Sequence, residues 1–203
     1  MKNILITGGN SDIAKSLFKR LSKDYNIDAP IRNVLDVTSI DSVDSFVSNK
    51  SYDVLINCAG TLYSSLISKS DPSLWINDIN VNLIGSYLVS RKVLINNPRA
   101  IVINIASTAA YNTYSDWSSY CASKAAVLSY SGCLYKDGYN VYILCPGAID
   151  TKIRNGLDIN NDNVMTIDQA ISPIEDILNN KYNIGDIIFY RKNELLVKSF
   201  ESC

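Results

Sequence analysis

The sequence predicts an α/β fold, a doubly wound parallel β-sheet flanked by helices on both faces. Three observations carry that expectation: short apolar runs alternate with longer stretches of helical periodicity, several of those runs end in glycine-containing turns, and 203 residues suffice for one domain with a buried core. Parallel strands are joined by crossovers and covered on both faces, so they read as continuous apolar runs.

Residues 2–7 (KNILIT) form a short buried strand, followed by a glycine turn and a helix over 13–21 that aligns Ile13, Leu17, Phe18 and Leu21 on one face. Further strands are expected at 27–31, 34–37, 53–57, 100–105, 140–144 and 186–190, with helices at 40–47, 74–94, 120–134 and 166–178. The strands 27–31 and 34–37 nearly adjoin, so any helix between them is missing or reduced to a turn. Pro30 cannot donate to a ladder and places the end of the first of them nearby. The polar stretch 152–163 reads as a mobile surface loop. Neither an internal repeat nor a low-complexity linker divides the chain, and residues 1–203 read as a single domain.

Composition removes several function classes. With 19 basic and 20 acidic residues there is no basic excess of the kind that tracks nucleic acid or anionic lipid. The N-terminal MKNILITGGN is too short for a signal-peptide core, and no apolar run reaches the roughly 18 residues of a membrane span. A soluble, cytoplasmic protein is expected. Five cysteines at irregular separations, without a CxxC pair, and the absence of histidine argue against a disulfide framework and a metal site. Without histidine, acid–base chemistry near neutral pH falls to another group with a shifted pKa, and tyrosine and lysine become the candidates.

Three turns at strand ends outline a groove. Thr7-Gly8-Gly9-Asn10-Ser11-Asp12-Ile13 follows the first strand and opens a helix, so its backbone N–H groups can approach a pyrophosphate. Asn57-Cys58-Ala59-Gly60 ends the strand 53–57, and the small Ala59 and Gly60 let a flat ring lie against backbone. Cys145-Pro146-Gly147-Ala148-Ile149-Asp150-Thr151 follows the strand 140–144 in the same way. Near the second strand, Arg32 stands where a guanidinium would favour a ribose 2′-phosphate. Asp28, 20 residues after Gly8, has the spacing of a carboxylate on a free 2′-hydroxyl, and a solvated surface arginine is a third reading.

The segment Ser119-Tyr120-Cys121-Ala122-Ser123-Lys124 places a phenol and an ammonium four residues apart, side by side on a helix. The ammonium favours the phenolate, which would lower the tyrosine pKa from about 10. Such a tyrosine gives a proton to a carbonyl oxygen or takes one from an alcohol. Ser107 ends the strand 100–105 within reach of the same oxygen, and Asn82 falls on a long helix whose apolar positions bury its amide.

In order along the chain, TGGNSDI, LDVT, NCAG, VNLIG, INIAS, YCASK and CPGAIDT resemble the short-chain dehydrogenase/reductase superfamily, which has a Rossmann-like fold. The resemblance implies hydride transfer between NAD(P)H and a small carbonyl/alcohol pair. It implies Tyr120 as general acid/base, Ser107 positioning the substrate oxygen, Lys124 lowering the tyrosine pKa and holding the nicotinamide ribose, and Asn82 maintaining a water relay to Lys124. Thr7, Gly8, Asn10, Ser11, Asp12 and Ile13 would face the pyrophosphate, and Asp36 with Val37 the adenine. Asn57, Ala59 and Gly60 would line the adenosine side, while Pro146, Gly147, Ile149 and Thr151 would hold the nicotinamide. Arg32 makes NADP(H) the preferred cofactor, with NAD(H) as the alternative.

Departures from the family pattern are Asp12 at the last glycine of the first turn, Ala14, Cys58 at the second asparagine of NNAG, and shortening after strand two and after CPGAIDT. The shortening implies an open or partner-completed site. The family dimerises through the counterparts of helices 74–94 and 120–134, whose Leu83, Leu88, Val127, Leu128 and Tyr130 offer apolar surface for a homodimer or homotetramer. A non-catalytic NAD(P)-binding sensor or scaffold is the rival function, and intact Ser107, Tyr120 and Lys124 favour the enzyme. Tyr111, Tyr114 and Trp117 suit stacking against a ring or sugar, or simply pack their loop down.

Overall fold

A computed structural model describes residues 1–155, 157 and 161–202. Seven strands form one sheet in the order β2-β1-β3-β4-β5-β6-β7: β1 Asn3–Ile6, β2 Asn26–Asp28, β3 Val54–Asn57, β4 Ile101–Ile105, β5 Asn140–Pro146, β6 Asp186–Arg191 and β7 Glu194–Ser199. All pairings are parallel except β6 with β7. The helices are α1 Asp12–Leu21, α2 Ile40–Val47, α3 Pro72–Ile79, α4 Gly85–Asn96, α5 Ser118–Lys136 and α6 Ile167–Leu178.

The fold is the Rossmann-like doubly wound sheet that the alternation predicts. Successive residues of a strand point to opposite faces, and both sets are buried here. Ile4, Ile6, Ile56 and Leu144 pack with Leu17 of α1 and Ile171 and Ile174 of α6 on one face. Leu5, Leu55, Val102 and Val141 pack with Val43 of α2 and Val89 and Val93 of α4 on the other. Helix starts are chemically marked. Ser11 Oγ accepts from the Ala14 N–H at 3.2 Å, and at α6 Thr166 and Gln169 cap each other reciprocally at 3.2 and 3.0 Å. Among the described residues no helix is long and apolar enough to cross a membrane.

Four expectations are corrected. Residues 34–37 are not a strand: the Val34 and Leu35 N–H groups both donate to Ile31 O, closing a turn, and β2 remains the sheet edge. Leu35 and Val37 are apolar because they bury against the helical layer of α2 and α4, not because they pair in the sheet. β2 stops at Asp28 because the next residues turn to brace the glycine loop, Pro30 O accepting from the Gly9 N–H at 2.9 Å. Phe18 lies off the buried face of α1, 45% exposed. The helix 74–94 is interrupted, since residues Asn80–Ile84 between α3 and α4 have π-helical bonding. The last strand, β7, went unread because Leu195, Leu196 and Val197 form an apolar triplet with no period, exposed on the sheet's outer edge.

The glycine turn is tightly enclosed. A Cβ built on Gly9 would lie 2.1 Å from Ala29 O, whereas one on Gly138, at φ 89°, would meet nothing within 4 Å. Gly9→Ala is expected to cost about 3 kcal/mol through backbone overlap, and Gly138→Ala about 1 kcal/mol through strain alone. Urea unfolding of the two variants would measure this, and equal losses would show that overlap at Gly9 is relieved without cost.

Candidate active site

The carboxyl ends of β1, β3, β4 and β5 open into a cleft of about 1140 Å³. Of the residues singled out in the sequence, Gly8, Asn10, Ser11, Asp12, Ile13, Arg32, Asp36, Val37, Asn57, Ala59, Gly60, Ser107, Tyr120, Lys124, Pro146, Gly147, Ile149 and Thr151 line it. Thr7 and Asn82 stand behind the wall and hold it in shape. Thr7 Oγ1 accepts from the N–H groups of Cys58 and Ala59, each at 3.1 Å, so the turn after β3 is tied to the end of β1. Gly8, at φ 69°, sits where a Cβ would lie 2.8 Å from Ala59 Cα, and the two turns close on one another.

Asn57 contributes to the cleft wall, but its amide points inward, donating to Ser90 Oγ at 3.0 Å and Asn104 Oδ1 at 2.7 Å. Asn104 passes the chain on to Ser131 at 2.9 Å, a buried polar ladder under the groove.

At the other end, Asp36 is occupied by its own turn. Its Oδ1 accepts from the Thr38 N–H and hydroxyl, which holds its carboxyl below the usual range, and Arg32 Nε lies 3.4 Å from Oδ2. The Arg32 side chain remains 69% exposed over the cleft. Asp28, the rival reader of the ribose, does not line the cleft. Its Oδ2 accepts from Tyr52 OH at 2.5 Å and Lys50 Nζ at 3.0 Å.

Ser107, Tyr120 and Lys124 meet at the end of β4. Lys124 Nζ donates to Ile105 O at 2.8 Å and lies 5.6 Å from the centroid of the Tyr120 ring. Burial pushes the Tyr120 phenol up to about 12, opposed by a hydrogen bond from Ser107 and reinforced by Asp78. The lowering expected from Lys124 is not seen: burial raises the phenol, and the group that opposes it is Ser107. Burial pushes Lys124 itself down to about 8, against the pull of Cys58 and Asp78.

Asn82 accepts from the Thr61 N–H at 2.9 Å through Oδ1 and donates from Nδ2 to Thr61 O at 3.0 Å and Ser123 Oγ at 2.9 Å. It rivets the loop after Gly60 to α5 at the residue next to Lys124. The π-helical turn carries it there, as such bulges often carry functional residues.

Three residues of the site were missed in the sequence. Asp78 is buried and accepts from Thr61 Oγ1, the Tyr63 N–H and Ser119 Oγ at 2.7–2.8 Å, fixing the start of α5. Its signal was a lone carboxylate on the inward side of α3. Arg154 and Arg191 also line the cleft, from a polar loop and a strand end where an arginine carries no distinguishing pattern. Tyr114 and Trp117 join them, with Trp117 set edge-on to Tyr120 at 5.8 Å between ring centroids.

Residues 31–162, more than half of the chain, match the family model for short chain dehydrogenases. The chain belongs to the short-chain dehydrogenase family. An uncharacterized oxidoreductase of Staphylococcus saprophyticus is 30% identical over 167 residues, covering 76% of this chain and 71% of that protein. The 3-oxoacyl-[acyl-carrier-protein] reductase of Chlamydia trachomatis is 28% identical over 174 residues, covering 80% and 68%. An alcohol dehydrogenase from the archaeon Thermococcus sibiricus, complexed with 5-hydroxy-NADP, shares the fold at a TM-score of 0.83 and 17% identity, over 95% of this chain and 97% of that one. A 4-hydroxyisoleucine dehydrogenase complexed with NADH does so at 0.78 and 22%, over 89% and 92%.

Within this short-chain dehydrogenase, the buried amine has a thermodynamic signature. The Lys124 pKa is lowered from 10.5 to about 8, so between those values the unfolded chain binds the extra proton and stability rises with pH. The cost is present in full below pH 8 and is relieved as pH approaches 10.5. Lys124→Met is expected to be more stable than the wild type by about 2 kcal/mol at pH 7, with the difference shrinking toward zero near pH 10. Urea unfolding at the two pH values tests this, and a pH-independent difference would sink it.

Proposed function

We propose that the protein is an NAD(P)-dependent oxidoreductase acting on a small carbonyl/alcohol pair. The observation that carries the reading is the meeting of Ser107, Tyr120 and Lys124 at one wall of a cleft whose other walls are the glycine turn and the turns after β3 and β5. These residues fit a dinucleotide. The turn at the start of α1 leaves no room for side chains, Gly8 closing on Ala59 and Gly9 on Ala29 and Pro30, and Gly60 keeps the floor beside Lys124 bare. A bound nicotinamide supplies or accepts the hydride. Tyr120 gives its phenolic proton to the carbonyl oxygen, Ser107 donates to the same oxygen and orients it, and Lys124 holds positive charge beside the developing phenolate. Asn82 is a positioning residue that faces Lys124 across Gly60, the placement a water relay to that amine would use.

The phenol pKa of about 12 sets the direction of the pH response. Carbonyl reduction needs the protonated phenol and the charged Lys124, so it is expected to hold steady from pH 6 to 7 and to fall as pH passes about 8. Alcohol oxidation needs the phenolate, so kcat/KM should climb with pH from 6, approach a tenfold rise per unit, and flatten above about 8 as Lys124 loses its charge. Tyr120→Phe should abolish both directions by about 10³-fold or more while leaving nucleotide binding within a few fold. Nucleotide binding with no turnover of any carbonyl compound would instead support the sensor reading.

NADP(H) is the cofactor we favour, because Arg32 overlooks the cleft while Asp28 is held by Tyr52 and Lys50. Nicotinamide fluorescence should show NADPH binding tighter than NADH, with Arg32→Ala bringing the two within about twofold. Equal affinities in the wild type would refute the preference. We also propose a homodimer through α4 and α5. Val127 is buried in the core, so the supporting surface is Ile84 and Tyr87 with the half-buried Leu83, Leu88, Leu128 and Tyr130. A strict monomer by sedimentation at micromolar concentration would exclude it.

A further inference from the structure

Among the described residues one buried side-chain atom lacks a hydrogen-bond partner, Arg154 Nη1, and Arg154 lines the cleft. A guanidinium stays charged at any working pH and offers a planar fork of donors. Leaving a buried charged donor unbonded is unfavourable, so such an atom marks where an acceptor is to come. The described residues provide none. The cleft carboxylates have other partners: Asp12 accepts from the Lys152 N–H, Asp36 from Thr38, and Asp116 from Ser64 Oγ. Arg191 is unlike Arg154 in being engaged, 3.6 Å from Glu194 and 5.1 Å over the Phe189 ring.

The surrounding backbone places this charge. Residues Lys152–Arg154 form a 3₁₀ turn in which the Arg154 N–H donates to Thr151 O at 3.1 Å. Arg154 thus stands one tight turn on from Thr151, in a cleft wall that Thr151, Pro146, Gly147 and Ile149 also line. Asp12, the residue that departs from the family's glycine, anchors the turn. It accepts from the Lys152 N–H at 2.8 Å and lies 4.0 Å from Lys152 Nζ. The carboxylate is thereby partnered by the loop, and the loop is held where Arg154 faces the cleft.

On the oxidoreductase reading above, that wall is the nicotinamide end, where the reacting carbonyl sits. We infer that Arg154 anchors the substrate, its guanidinium receiving a carboxylate or phosphate group carried by the carbonyl compound. The substrate class is then an oxo acid or oxo phosphate rather than a neutral ketone.

Calorimetric titration of wild type, Arg154→Gln and Arg154→Lys tests this, on protein both free of nucleotide and saturated with NADP⁺. The probes are acetoacetate, methyl acetoacetate and inorganic phosphate. Acetoacetate, phosphate or both should bind the wild type at least about tenfold tighter than Arg154→Gln, with Arg154→Lys between them, and the ester should bind all three alike. Which anion responds tells carboxylate from phosphate. Equal or absent binding of both anions to wild type and Arg154→Gln overturns the inference. So does a loss of NADP⁺ affinity with anion binding to the saturated protein unchanged, which would put the guanidinium on the cofactor's pyrophosphate. If the wild type takes up no nucleotide, the oxidoreductase reading fails, and the nucleotide-free titration still decides the role of Arg154.

Discussion

The site is arranged around a buried amine. Lys124 is 6% exposed, has no carboxylate within ion-pair distance among the described residues, and donates to a main-chain carbonyl at the end of β4. Desolvating an ammonium is costly, and its lowered pKa records that cost. A chain gains nothing for its fold by keeping such a group, since a methionine of similar length would fill the space without the penalty. The amine is retained at the junction of the two elements that carry Ser107 and Tyr120, and its neighbours are shaped to it. Gly60 leaves the space in front of it open, Ser123 beside it is fully buried, and the Asn82 amide binds that serine to the loop after β3.

That arrangement depends on interrupting a helix. A regular helix from α3 through α4 would turn Asn82 away from the cleft wall, and the π-helical turn at Asn80–Ile84 adds the extra residue that brings its amide toward Thr61 and Ser123. The next residue, Gly85, lets Val37 pack where a Cβ would stand 2.6 Å from Val37 Cγ2. The loop that replaces the expected strand at 34–37 is thus seated on the helix that positions Asn82, and the Asp36–Val37 end of the cleft is packed to the wall that carries Ser107 and Tyr120.

Legibility followed the range of the forces involved. The strands buried on both faces and the helices with one buried stripe were readable, because burial writes a continuous apolar run into the first and a period of 3.6 into the second. The glycine turn and the Tyr120–Lys124 pair were readable because each needs particular residue types at fixed local spacing. Residues 34–37 misled because burial against a helix and pairing in a sheet leave the same short apolar run. The upward shift of Tyr120 was out of reach, since it depends on how deeply the phenol is enclosed by Ser107, Trp117 and the cleft wall. The pairing of Asp12 with Lys152 joins positions 140 residues apart, a distance over which spacing carries no signal.

That last pairing gives a role to a residue that departs from the family pattern. A carboxylate in the first turn of α1 favours the helix dipole but competes with any anion brought to the same N–H groups. Asp12 accepts from the Lys152 backbone and lies near its ammonium, so its oxygens are directed at the loop. A polar loop left to itself would sample many positions. One carboxylate bound to its first turn removes much of that freedom and defines the wall on the Thr151 side. The aspartate and the turn it binds are therefore best understood together, each accounting for the other.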